Sequence, residues 1–250
     1  MEYDDLESLQ TPSNFNFSAV SIDNLGASEY TLVTILIDNS WSVSDFSDEI
    51  ENCIKTVVDA CKKSPRSENL MIRVVTFDSI VSELHGFKLL SSINEDEYKG
   101  TLTCKGSTAC YDAIMNAVES TNEYAKILQD QDFISNGIVY VLTDGEDNSS
   151  LHNIDQVSKS IDSCKKDEFL ESMDVILIGV GYSDLDHYLS VIENSLKLNG
   201  HITLTDLFKK ESPEQALAKL AGWVSKSISL TSTSLSQGET PNSMSLPLAF

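Results

Sequence analysis

The stretch Thr31-Leu-Val-Thr-Ile-Leu-Ile-Asp38, continued by Asn39-Ser40-Trp41-Ser42, decides the fold class. Its first part is an almost unbroken run of apolar and β-branched residues, the composition of a strand covered on both faces. An acid and short polar side chains follow at once, as expected of a loop leaving the strand's carboxyl end. Met71–Asp78, Gly137–Thr143 and Met173–Val180 repeat the buried-strand pattern, with a short strand at His201–Thr205. Between them, apolar residues recur at spacings of three and four. From Asp45 to Lys62 these are Phe46, Ile50, Ile54, Val57 and Cys61, with Asp45, Asp48 and Glu49 in a first turn that favours acids and Ser64-Pro65 beyond the end. Further helices are expected over Ala109–Leu128, Ile154–Glu171 and Leu185–Leu198, and after Ser212-Pro213, a cap followed by proline in the first turn. Strands separated by single helices imply right-handed βαβ units, hence an α/β, mostly parallel sheet flanked by helices on both faces. Ile80–Leu90 reads as an edge hairpin beside the Met71 strand.

The 250 residues carry 39 acidic and 17 basic side chains, a formal charge of −22. Such a field repels nucleic acid and anionic membrane surfaces, so neither is an expected partner. No run of 18 apolar residues occurs, and the acidic N-terminus has no secretory pattern. Five scattered cysteines (Cys53, Cys61, Cys104, Cys110, Cys164) form no CxxC pair and read as reduced thiols of a cytoplasmic protein. Residues 1–29 hold acids but no Lys or Arg, and residues 229–250 are rich in Ser and Thr. Both read as weakly structured extensions of a domain spanning residues 30–228, although Phe15, Phe17, Val20 and Ile22 alternate closely enough for an edge strand.

An open parallel sheet gathers its ligand-binding residues beyond the carboxyl ends of its strands. Three segments belong there: Asp38-Asn39-Ser40-Trp41-Ser42, Lys105-Gly106-Ser107-Thr108, and Asp144-Gly145-Glu146-Asp147. Carboxylates and hydroxyls without nitrogen or sulfur suit a hard divalent cation, Mg²⁺ foremost, with Mn²⁺ or Ca²⁺ as substitutes. So small a shell leaves positions for water or for an incoming carboxylate.

Asp38-x-Ser40-x-Ser42, Gly106-Ser107-Thr108 and Thr143-Asp144-Gly145, in that order, resemble the von Willebrand factor A (vWA) domain with its metal-ion-dependent adhesion site (MIDAS). The resemblance covers residues 30 to 228. It implies a Rossmann-like sheet with a Mg²⁺-like ion at its carboxyl edge, directly ligated by Ser40, Ser42 and Thr108. Asp38 and Asp144 would act directly or through water. It further implies a protein partner presenting an Asp or Glu carboxylate to the metal. Bacterial and phage members of this kind often serve as intracellular adaptors for AAA+ ATPases or larger assemblies. Trp41 departs from the pattern, where the family usually has a smaller residue; its ring is expected to pack over the loop rather than stand out as an anchor.

The remaining motifs are weaker. Glu146, Asp147 and Asn148 read as a solvated acidic turn. Gly100 to Ser107 has its lysine on the wrong side of the glycine for a phosphate loop. Gly181-Tyr182-Ser183 starts a nucleophile-elbow pattern but meets Leu185 where glycine is required. His85, His152, His187 and His201 are far apart and read as surface or packing residues, while Cys53 and Cys110 read as inert core thiols. A metal-dependent phosphohydrolase would need a second Asp where Ser40 stands. A non-enzymatic binding module is therefore the expected function. The alternative is a structural or virion-associated component with a vestigial metal site, whose terminal segments do the attaching.

Overall fold

The computed structural model describes residues 6–181 and 185–239. In chain order these form β1 (Leu6–Gln10), β2 (Asn16–Val20), β3 (Glu29–Asp38), α1 (Ser47–Lys62), β4 (Leu70–Phe77), β5 (Val81–Leu89), α2 (Cys110–Gln129), β6 (Ile134–Thr143), α3 (Ile154–Asp167), β7 (Met173–Gly179), α4 (Asp186–Leu196), β8 (Gly200–Thr203), α5 (Thr205–Lys210) and α6 (Pro213–Gln237). The eight described strands make one sheet in the order β1-β2-β5-β4-β3-β6-β7-β8. Strands β4, β3, β6, β7 and β8 are mutually parallel, β5 is antiparallel to β4, and β1 is antiparallel to β2. The expected α/β, mostly parallel, Rossmann-like architecture is the one observed.

Strand periodicity divides β3 between two cores. Val33, Ile35 and Ile37 pack with Ile50 and Ile54 of α1 and Leu217 and Leu220 of α6. On the opposite face Leu36 packs with Ala113, Ile114 and Ala117 of α2. The chain leaves β3 through α1 to reach β4 on one side, and later enters β6 on the other. This reversal puts a crevice at the carboxyl ends of β3 and β6, where the sheet itself leaves room for a ligand.

Several segments differ from their sequence expectation. Residues 6–20 are a two-stranded hairpin joined to the sheet, with β2 parallel to β5, so β5 lies inside the sheet and not at its edge. The approach is close: a Cβ on Gly86 would lie 2.0 Å from the Ser18 carbonyl oxygen. Glu83 ties the two together. It accepts hydrogen bonds from the Ser18 amide at 3.0 Å and from the Ser18 hydroxyl, and at 2.6 Å from Nε of Arg73. Arg73 is 1% exposed in the middle of β4 and also donates to Asn116 and Ser120. Burial lowers its pKa, and Glu83 opposes that shift.

At the other end α6 continues to Gln237, with Thr231, Ser232 and Leu235 buried. Ser225 and Ser227 donate back to the Gly222 and Val224 carbonyls at 3.2 and 3.1 Å, and Ser232 Oγ accepts from Arg66 Nε at 3.3 Å, which lets these hydroxyls sit on a buried helical face. Residues 1–5, 182–184 and 240–250 lie outside the described residues, and with them the Tyr182-Ser183 part of the elbow-like pattern. Helix α1 starts at Ser47 and not Asp45, because a 3₁₀ turn over Trp41–Phe46 precedes it.

Candidate metal centre

Asp38 is the last residue of β3 and 1% exposed. A buried carboxylate is tolerable only when hydrogen-bonded, and both its oxygens are engaged. Oδ1 accepts from the Ser40 amide at 2.9 Å, and Oδ2 from the Thr143 hydroxyl at 2.7 Å. The second bond follows from strand register: Ile37 pairs with Leu142, so Asp38 and Thr143 come next on adjacent strands. Ser40 Oγ lies 3.1 Å from Ser42 Oγ, which donates to Asp144 Oδ1 at 2.7 Å. Asp38, Ser40, Ser42 and Asp144 thus form one connected set at the crevice. A Cβ built on Gly145 would lie 4.0 Å from Thr108 Oγ1, which places the Thr108 hydroxyl on the Asp144–Gly145 side of the set. The structure brings all five sequence-predicted residues to the same edge of the sheet.

Electrostatics at this point favour a cation. Burial pushes Asp144 up to about 6; the Ser42 hydrogen bond opposes the shift and the Asp38 charge adds to it. Burial likewise raises Asp38, against the hydrogen bonds from Ser40 and Thr143. Two partly desolvated carboxylates facing each other are relieved by a positive charge between them. The donor set fits that charge. Ligands about 2.1 Å from an octahedral Mg²⁺ stand about 3.0 Å apart along each edge. The oxygen separations of 2.7 and 3.1 Å at Ser42 bracket that value. Among the described residues no three His, Cys, Asp or Glu side chains converge on a metal position, so an imidazole or thiolate cage does not compete.

Residues that hold the loops were missed in the sequence. Asn39 Oδ1 accepts from the Thr103 and Cys104 amides at 2.9 and 2.8 Å, pinning the segment that leads to Thr108. Asn148 Oδ1 accepts from the Thr108 amide at 2.8 Å. Asp147 accepts from the Tyr111 amide at 3.0 Å and from the Ser150 hydroxyl. Glu146 and Asn148 are exposed, as expected of a solvated turn, but Asp147 and Asn148 also brace the loop. Trp41 also corrects its expectation: the ring is 74% exposed. Val43 and Phe46 take the buried positions of the 3₁₀ turn, Phe46 against the Phe208 ring at 5.6 Å, and leave Trp41 on the outer side. The histidines behave as packing residues: His152 bonds Asp112 at 2.7 Å and His85 bonds the Tyr98 hydroxyl at 2.8 Å. Burial raises Cys53 to about 12 and Cys110 well above its ordinary value, which keeps both thiols protonated.

The sequence profile of the von Willebrand factor type A domain matches residues 33–216. The chain belongs to the von Willebrand factor type A domain family. No curated protein sequence matches it. Among solved structures, this vWA domain is similar to the PilB minor pilin of Streptococcus sanguinis, with a TM-score of 0.57 at 13% identity over 84% of the chain. It is also similar to the pilus adhesin SpaC of Lactobacillus rhamnosus GG in its open conformation, with a TM-score of 0.56 at 10% identity over 90% of the chain. It spans 64% of the pilin's length and 33% of the adhesin's. At these identities the likeness is one of fold.

Proposed function

We propose that this vWA domain is a metal-dependent protein-binding module. Asp38, Ser40, Ser42, Thr108 and Asp144 hold a divalent cation, Mg²⁺ foremost, and an Asp or Glu carboxylate of a partner protein completes its shell. The observation that carries the reading is the connected oxygen set, in which Ser42 Oγ stands 3.1 Å from Ser40 Oγ and 2.7 Å from Asp144 Oδ1. Asp38, with both oxygens occupied, orients the serine loop and supplies charge, while Thr143 holds Asp38 in place. The bound cation supplies a Lewis-acidic position for a carboxylate. The role is binding and not catalysis: Ser40 stands where a phosphohydrolase needs its second Asp, and His85 and His152 are committed to packing contacts. Five buried thiols support an intracellular setting. In that setting the module acts as an adaptor or assembly component of a bacterial or phage system, with an AAA+ ATPase or a larger assembly as its partner.

Thermal melts with and without Mg²⁺ test the metal step. At 100 times the dissociation constant a bound ion stabilises by about 2.7 kcal/mol, an expected rise of about 5–11 °C for a domain of this size. Asp144→Ala abolishes that rise and leaves the domain folded. A pull-down from the native cell, run with and without EDTA, tests the partner step. Recovery of the same partner in EDTA at undiminished yield overturns it.

A further inference from the structure

The three most exposed large apolar side chains among the described residues are Leu151 at 90%, Trp41 at 74% and Ile80 at 68%; Ile134 and Val191 are about half exposed. Trp41 stands on a loop that carries the candidate metal centre, and Ile80 and Leu151 stand on turns hydrogen-bonded to the Thr108 loop. Trp41 lies between Ser40 and Ser42 in the chain. Ile80 follows Ser79, whose hydroxyl accepts from the amide of Ser107, the neighbour of Thr108, at 3.0 Å. Leu151 lies three residues after Asn148, which holds the Thr108 amide, and its own amide is fixed by Asp112 at 2.9 Å. Ile80 is fixed in the same way, its amide donating to Asp78 at 3.0 Å. These loops are braced, so the apolar side chains are displayed on a set backbone. Exposed apolar groups on the turns bordering one site are the mark of a contact surface, and tryptophan is over-represented among residues that dominate binding energy.

We infer that Trp41, Ile80 and Leu151 form an apolar rim that selects a peptide segment in which one acidic residue is flanked by large apolar residues, within an otherwise basic partner surface. This rests on the metal reading above and adds to it what lies on either side of the carboxylate. The acid goes to the cation, and the flanking side chains cover the rim. Charge fixes the rest. The chain carries −22 overall, Asp45, Asp48 and Glu146 are exposed, and Lys105 is the exposed cation of the site's own loops. A strongly acidic segment would be repelled at every position except the metal, whereas an isolated acid among apolar and basic residues is attracted throughout. The same repulsion disfavours a second copy of this chain as occupant.

The test uses the full chain and fluorescein-labelled synthetic peptides read by anisotropy in excess Mg²⁺. The first is Lys-Leu-Asp-Leu-Lys, the second replaces Asp with Asn, and the third replaces both Leu with Ser. The first is expected to bind at least tenfold more tightly than either of the others. Trp41→Ser and Leu151→Ser should weaken the first peptide by tenfold or more and leave the third unchanged. Both side chains are exposed, so the variants keep their melting temperature and their Mg²⁺ affinity by calorimetry. Acrylamide quenching supplies a second readout: Trp41 is accessible and Trp223 is buried, so the first peptide protects the quenchable emission. If Mg²⁺ binds and the Asp peptide requires it, yet the serine-flanked peptide binds equally well or the rim variants change nothing, the rim inference is overturned while the metal reading stands. If Mg²⁺ does not bind, the metal reading itself falls. Failure of every peptide to bind, or Mg²⁺-dependent self-association abolished by Trp41→Ser, also overturns the proposed occupant.

Discussion

Thr143→Val isolates the contribution of one hydroxyl to the candidate metal centre. Thr143 is fully buried, and valine has nearly its shape, so the substitution opens no cavity. What is lost is a 2.7 Å donation to Asp38 Oδ2, a carboxylate that is 1% exposed, together with the 3.3 Å bond the hydroxyl accepts from the Gly145 amide. Hydrogen bonds to charged groups contribute about 1.5–3 kcal/mol. For a domain of this size, that is a fall in melting temperature of about 3–12 °C in Mg²⁺-free buffer at neutral pH. Asp38 then keeps only its bonds from Ser40 and from the Asp144 backbone, and its orientation loosens. Loss of such an orienting contact typically costs about 10–100-fold in metal affinity. Circular-dichroism melts read the first effect and calorimetric Mg²⁺ titration the second. Thr233→Val is the control, because that hydroxyl donates within its own helix to the Ser229 carbonyl at 2.8 Å. It should cost under about 1 kcal/mol and leave Mg²⁺ binding intact. Equal affinity for Mg²⁺ in Thr143→Val and in the unsubstituted protein would refute the orienting role of Thr143.

Asp144→Asn should raise the Mg²⁺-free melting temperature at pH 7 while abolishing stabilisation by Mg²⁺. Its carboxyl is raised to about 6 in the folded state, so the folded protein holds that proton more tightly and the carboxylate penalty is fully present above about pH 6. Discounted for partial exposure, relief of that penalty is about 1 kcal/mol, or about 3 °C. For the same reason Mg²⁺ must displace a proton in acid, so calorimetric affinity should fall about tenfold per pH unit below pH 6. An affinity independent of pH between 5 and 7 contradicts the assignment. Glu83→Gln leaves the buried Arg73 guanidinium without its counter-charge. Breaking such a pair costs about 3–5 kcal/mol, and hydrogen exchange at Asn16–Val20 should accelerate ahead of the rest of the sheet. Ending the chain at Ile228 removes the last two turns of α6 and the buried Leu235. Thermal melts should show a loss of at least about 2 kcal/mol; unchanged stability would mean that this part of α6 contributes nothing to the core.

Much of this was legible from residues whose effects are local. The Thr31–Asp38 run announces a strand buried on both faces, and its acid-serine continuation announces the crevice. The hydropathy pattern showed the strand ends and so the polar segments at the crevice; the set of five candidate ligands came from the resemblance to the vWA domain. The parts that were not legible depend on pairings between distant segments. Arg73 sits in an apolar run with nothing nearby to indicate that Glu83, Asn116 and Ser120 would surround it. Asn39 and Asn148 look like ordinary loop residues until the loops they brace are folded against them. Composition misled at both ends of the chain. Ser and Thr suggested a tail where small hydroxyl side chains line a helix, and at the N-terminus the alternation from Phe15 to Ile22 announced β2 while its partner β1 went unseen. Trp41 went the other way, because its neighbours Val43 and Phe46 were better placed to fill the space beneath the turn.

The hairpin formed by residues 6–20 bears on the exposure of a sheet edge. Without it, the nine residues of β5 would offer an open row of backbone amides and carbonyls, a template on which another extended chain could add itself. β2 covers part of that row, pairing Ala19 with Phe87, and β1, with Glu7, Ser8 and Gln10, turns a short polar edge outward. The cover is fastened late in any folding sequence, since Ser18 finds Glu83 and Ser13 finds Glu119 across long stretches of chain. Until that clasp closes, the uncovered side of β5 is open to self-pairing.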